Sequence, residues 1–101
     1  VTRAPYVDGT AVARVTDAHG NRQVDIPGGL RDGLLSVAVD CRGEGTMTVS
    51  VRVVGLSFPV ECTAGEVTGV YNRLRLHEGR DRGTVSVSAP SGVHWALTVG
   101  R

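Results

Sequence analysis

From Leu35 onward almost every second residue is apolar. Leu35, Val37, Val39 and Cys41 alternate with Ser36, Ala38 and Asp40. Met47, Val49, Val51 and Val53 alternate with Thr46, Thr48, Ser50 and Arg52, and Leu56, Phe58, Val60 and Cys62 with Ser57, Pro59 and Glu61. Further on, Val70, Asn72, Leu74 and Leu76 face the opposite way from Tyr71, Arg73, Arg75 and His77. Val85, Val87 and Ala89 then alternate with Thr84, Ser86 and Ser88, and the chain closes on Val93, Trp95, Leu97 and Val99. A period of two puts one set of side chains on each face of a strand, so each run predicts a strand with one face toward a core. Gly43 and Gly45, Gly55, Glu78–Gly83 and Pro90-Ser91-Gly92 supply the reversals between them. Pro59 lacks a ladder donor, so its strand is expected at a sheet edge or at a bulge.

The first third is less regular. Ala11–Thr16 predicts a strand, Asp17–Asn21 a tight hairpin turn, and Val24–Ile26 a short return strand broken by Pro27-Gly28-Gly29. Leu30–Gly33 is expected to be loop. Residues 1–10 have no period and are expected to form an extended arm, with 11–101 as one domain. No segment holds a helical period. The fold class expected is therefore all-β: a two-sheet antiparallel β-sandwich, jelly-roll or Ig-like, with seven to eight strands and one disulfide.

Composition narrows the partners. Of 101 residues 41% are hydrophobic and only 4% aromatic, with valine dominant, as a pleated and half-buried surface favours. The net charge of +1 gives no electrostatic footprint for nucleic acid or an anionic membrane. All 11 basic residues are arginine, which we ascribe mainly to GC-rich codon usage. No apolar stretch approaches a membrane span. An exported chain would carry its leader ahead of Val1.

Cys41 and Cys62 each end a predicted strand on its core-facing parity, one strand–turn–strand unit apart. A metal site would need further Cys or His at close spacing, and a redox pair would more often be CxxC. A structural disulfide formed in an oxidising compartment is the expectation, and localisation is expected to be secreted.

Little else carries chemistry. His19, His77 and His94 lie too far apart in sequence to form a ligand pair and are expected at the surface. Asp17-Ala18-His19-Gly20-Asn21 lacks the carboxylates of a calcium loop. There is no G-x-S-x-G elbow, and the acid pairs Glu61/Glu66 and Asp40/Glu44 are expected to be solvated. No catalytic residue, metal ligand or cofactor is expected, and the chain is expected not to be an enzyme. The candidate binding face is Tyr71, Arg73, Arg75 and His77, an aromatic and two guanidiniums on one strand. The candidate binding arm carries Pro5 and Tyr6 as anchors for another protein's sheet or cleft. Trp95 shares parity with Val93, Leu97 and Val99, so it is expected in the core rather than stacked on a sugar.

The segments D-C-R-G-E-G-T-M-T-V-S-V, F-P-V-E-C and V-H-W-A-L-T-V-G-R resemble small secreted proteins and lipoproteins of Streptomyces-type actinobacteria. The resemblance runs from Leu34 to Arg101. Some secreted actinobacterial proteins of this size are adaptor subunits of multi-protein antibacterial particles. The resemblance thus implies a secreted, non-enzymatic protein-binding sandwich, an adaptor or structural subunit whose partner is another extracellular protein. The alternative is a carbohydrate-binding module acting at a cell wall or polysaccharide.

Overall fold

The computed structural model describes residues 3–7 and 9–101; Val1, Thr2 and Asp8, which belong to the expected arm, lie outside the described residues. Eight strands form: β1 Ala11–His19, β2 Arg22–Asp25, β3 Gly33–Arg42, β4 Gly45–Val51, β5 Leu56–Cys62, β6 Thr68–Leu76, β7 Thr84–Ser88 and β8 His94–Gly100. They make two four-stranded antiparallel sheets, β1-β8-β3-β6 (sheet A) and β2-β7-β4-β5 (sheet B). The pairings β4–β5, β3–β6, β2–β7 and β1–β8 nest inside one another, as if one long hairpin had been wound around a barrel. Of the two sandwich topologies expected, this is the jelly roll.

The alternation decides which side chains go between the sheets. Val37, Val39 and Cys41 of β3, Met47, Val49 and Val51 of β4, Val85 of β7 and Trp95, Leu97 and Val99 of β8 are wholly buried. Trp95 donates its indole Nε1–H to the Gly20 carbonyl at 3.1 Å, which satisfies the one polar atom a buried tryptophan brings inside. Pro59 lies on β5, the edge of sheet B, where its missing N–H removes no ladder bond to a further strand.

Three sequence expectations are corrected. The segment after β1 is not a hairpin turn. β1 continues to His19 with Asp17 at φ 52°, and the chain then crosses at Gly20–Asn21 from sheet A to sheet B. Alternation fixes which way a side chain faces but not which strand it lies beside, so a sheet-to-sheet crossing and a hairpin carry the same local signal. The β4 run also stops at Val51 rather than Val53. Arg52–Val54 winds into a single 3₁₀ turn, closed by Gly55 at φ 72° with its N–H on the Arg52 carbonyl. Leu30, expected in a loop, is 3% exposed and pairs with Arg80 through two reciprocal 2.8 Å backbone hydrogen bonds.

Cys41 and Cys62 form the disulfide, with Cα atoms 5.8 Å apart. It joins β3 of sheet A to β5 of sheet B, so the staple lies across the sandwich rather than within a sheet.

Candidate functional site

β6 is one of the two edge strands of sheet A, and it carries three of the four residues of the expected binding face. Tyr71, Arg73 and Arg75 are exposed on its outward side, opposite Ala38, Ser36 and Leu34 of β3. His77 is also exposed, but it follows the end of the strand and does not share the row. Neither Arg73 nor Arg75 has a carboxylate partner among the described residues.

The backbone of β6 differs from the other three edges. An exposed strand edge is a template for pairing with another chain, and proteins usually blunt it. β1 is broken by register shifts between Ala11 and Ala13 and between Val15 and Ala18. β2 has only four residues, and β5 contains Pro59. β6 has nine residues and keeps one unbroken register with β3, from Gly33↔Leu76 to Cys41↔Thr68. Its inward residues Val70, Asn72 and Leu74 are only half-buried, because no strand lies beyond them.

The middle of the outer face of sheet A is not a solvated surface. Ser36, Ala38, Ala96 and Thr98 point away from the inter-sheet core, yet each is at most 4% exposed. Cross-strand pairing aligns Arg14, Thr98, Ala38 and Tyr71 in one row. The Thr98 hydroxyl is buried without a hydrogen-bond partner. Asp40 lies one row away opposite Gly69, and partial burial raises its carboxyl above the ordinary aspartate range. In the expected arm, Tyr6 is largely exposed and Pro5 half-buried, while Val7 is buried outside the inter-sheet core.

Sheet B carries a feature that the sequence reading did not single out. Many of its outward residues carry hydroxyls or amides, and pairing sets Gln23, Ser86, Ser50 and Ser57 in one row across all four strands. Thr48 and Ser88 form the next row. Gln23, Thr48, Ser50, Ser86 and Ser88, together with Arg22 and Arg52, line an open trough of about 640 Å³. Each of these serines and threonines had the ordinary polar parity of a strand, and only the β2–β7–β4 register gathers them.

His19 and His94, expected to be separate, are paired across β1 and β8 with ring centroids 5.7 Å apart. No third ligand joins them: among the described residues no cluster of three His, Cys, Asp or Glu side chains is placed to hold a metal. Glu44, Glu61 and Glu66 are exposed. Among the described residues no helix is long and apolar enough to cross a membrane.

No family model matches this sequence, and no curated protein matches it. Among solved structures, a ruminal GH26 endo-beta-1,4-mannanase is similar over 93% of this chain, at 16% identity and a TM-score of 0.54. The chain spans about a fifth of that protein's length, 21%, so the likeness is one of fold to a part of it.

Proposed function

We propose that the chain is a secreted, non-catalytic protein-binding module, an adaptor-type jelly roll whose docking element is strand β6. The observation that carries this reading is an unblunted nine-residue edge flanked by Tyr71, Arg73 and Arg75. A partner strand added there gains main-chain hydrogen bonds along the edge, and alternate side chains supply the specificity. Its outward residues would face Arg73 and Arg75, which favours Asp or Glu. Its inward residues would cover Val70 and Leu74, which favours apolar side chains. The partner is thus an extended segment alternating acidic and apolar residues. A second copy of this chain fits less well: antiparallel self-pairing of β6 over its full length centres on Asn72 and sets the two Arg73 side chains diagonally across, about 7–8 Å apart.

The test is the charge reversal Arg73→Glu with Arg75→Glu. A protein that co-purifies stoichiometrically with the unaltered chain from culture supernatant should be lost, while the melting temperature stays unchanged. In the native complex the amides of Thr68–Leu76 should gain protection from hydrogen exchange. Partner retention by the reversed variant, or protection confined to another strand, refutes the reading.

A second reading, glycan binding, draws support from the hydroxyl-lined trough of sheet B. It draws none from Trp95, which is wholly buried.

A further inference from the structure

We infer that the outer face of sheet B is a binding site for an anionic glycan, a chain of sugars bearing regularly spaced carboxylates or sulfates. The inference is independent of the β6 edge, which belongs to the other sheet.

Thr48 and Ser50 of β4 and Ser86 and Ser88 of β7 stand side by side on neighbouring strands, so their hydroxyls form a grid spaced by about 4.8 Å across the sheet. Each hydroxyl both donates and accepts, which matches the hydroxyls of a sugar ring. Ser50 already shares a 3.1 Å hydrogen bond with Ser57, which orients its oxygen. Gln23 adds an amide to the same row. Asn21 lies at one end, where its Oδ1 accepts the Ala89 N–H at 2.9 Å, so what it has left to offer is its NH₂ donor.

The walls supply the sign of the charge. Arg22 and Arg52 line the trough, and Arg82 lines a smaller hollow of about 220 Å³ that shares Gln23, Arg52 and Ser86 with it. No Asp or Glu lines either space. The outward carboxylates of sheet B are Asp25, which accepts the Thr84 hydroxyl at 3.2 Å, and Glu61 on the far edge. None of the three arginines is paired with a carboxylate among the described residues. A concave surface lined by one sign of charge concentrates counter-ions, and guanidinium forks recognise carboxylate and sulfate oxygens in pairs.

What the trough lacks is equally informative. Its lining includes no aromatic ring. Phe58 and Trp95 face the interior, Tyr71 belongs to sheet A and Tyr6 to the arm. Neutral β-linked sugars are commonly held by stacking on exposed rings, and none is available here. Recognition must therefore come from hydrogen bonds and charge, which selects an acidic chain over a neutral one.

The test titrates the intact chain with a galacturonate hexamer, a heparin hexasaccharide and mannohexaose, followed by amide NMR. At least one anionic probe should bind with shifts confined to β2, β7, β4 and Arg52, and mannohexaose should not. The galacturonate and heparin arms separate carboxylate from sulfate recognition. Arg22→Gln with Arg52→Gln should weaken binding about 100-fold, roughly tenfold for each charge-assisted contact, without changing the melt. Raising the salt from about 20 to about 150 mM should also weaken it. Arg73→Glu with Arg75→Glu, which tests the β6 reading, should leave it intact. The inference is overturned if neither anionic probe binds, if mannohexaose binds as well, or if the β6 variant and not the trough variant abolishes binding.

Discussion

Removing the disulfide should cost this fold about 3 kcal/mol. The bridge spans a sequence separation of 21 residues, from β3 in one sheet to β5 in the other. In the chain-entropy treatment a closed loop of that length removes about 11 cal/mol/K from the unfolded ensemble, or about 3 kcal/mol at 25 °C. At about 2.1 cal/mol/K per residue, a chain this long unfolds with an entropy near 0.2 kcal/mol/K. The loss therefore corresponds to a fall in melting temperature of about 15 °C. The perturbation is Cys41→Ala with Cys62→Ala, followed by differential scanning calorimetry and urea titration. Because Cys41 is wholly buried and Cys62 only 7% exposed, a water-soluble reductant should reach the bridge of the unaltered protein only when the sandwich opens. Reduction should accordingly be slow in buffer and should accelerate with urea. A fall of less than about 5 °C, or two alkylatable thiols in the unreduced protein, refutes the reasoning.

Three other substitutions report on separate parts of the structure. Gly43 sits at φ 112° and an added Cβ would meet the Gly92 carbonyl oxygen at 2.4 Å, so Gly43→Ala should destabilise by about 2 kcal/mol or more in a urea titration. Asp40 has its carboxyl raised by burial, so the folded state holds its proton more tightly than the unfolded chain and stability falls as pH rises through that window. Asp40→Asn should therefore raise the melting temperature at pH 7 and lose that advantage below the ordinary aspartate range; an equal gain at both pH values counts against burial as the cause. Thr98 keeps a buried, unpartnered hydroxyl, so Thr98→Val, which retains the branched shape, should stabilise by about 1 kcal/mol in the same titration.

How much of this was visible beforehand depends on what alternation encodes. It placed Val37, Val49, Val85 and Leu97 inside correctly, because a core-facing parity is a property of one strand alone. It placed Cys41 and Cys62 on that parity too, and Pro59 announced an edge because a missing N–H is a local fact. Pairing is not local. Nothing near Gly20 or Gly43 says that the chain changes sheets there, so the nested order of strands had to come from the structure. The same gap hid the trough: Ser50, Ser86 and Gln23 are far apart in sequence, and each looked like an unremarkable outward polar residue. Outward parity was also an imperfect guide to exposure. Ser36, Ala38 and Thr98 face away from the core yet are buried, because parity says which side of the sheet a residue lies on and not what covers that side.

The jelly-roll winding determines whether the two proposed surfaces compete. β6 ends sheet A on the side where β5 ends sheet B, and the two strands touch. A segment added to β6 extends sheet A sideways past β5. The trough opens on the far face of sheet B, over β2, β7 and β4. A docked strand therefore neither covers the hydroxyl floor nor reaches Arg22, and a glycan in the trough leaves the β6 edge free. Arg73 and Arg75 also point away from sheet B, so their charge is spent on whatever pairs with β6. The two bindings should be additive: saturating one site with its own ligand should leave the other's dissociation constant within about twofold. Strong antagonism would mean that the ligands share one surface, and the assignment of separate faces would fall.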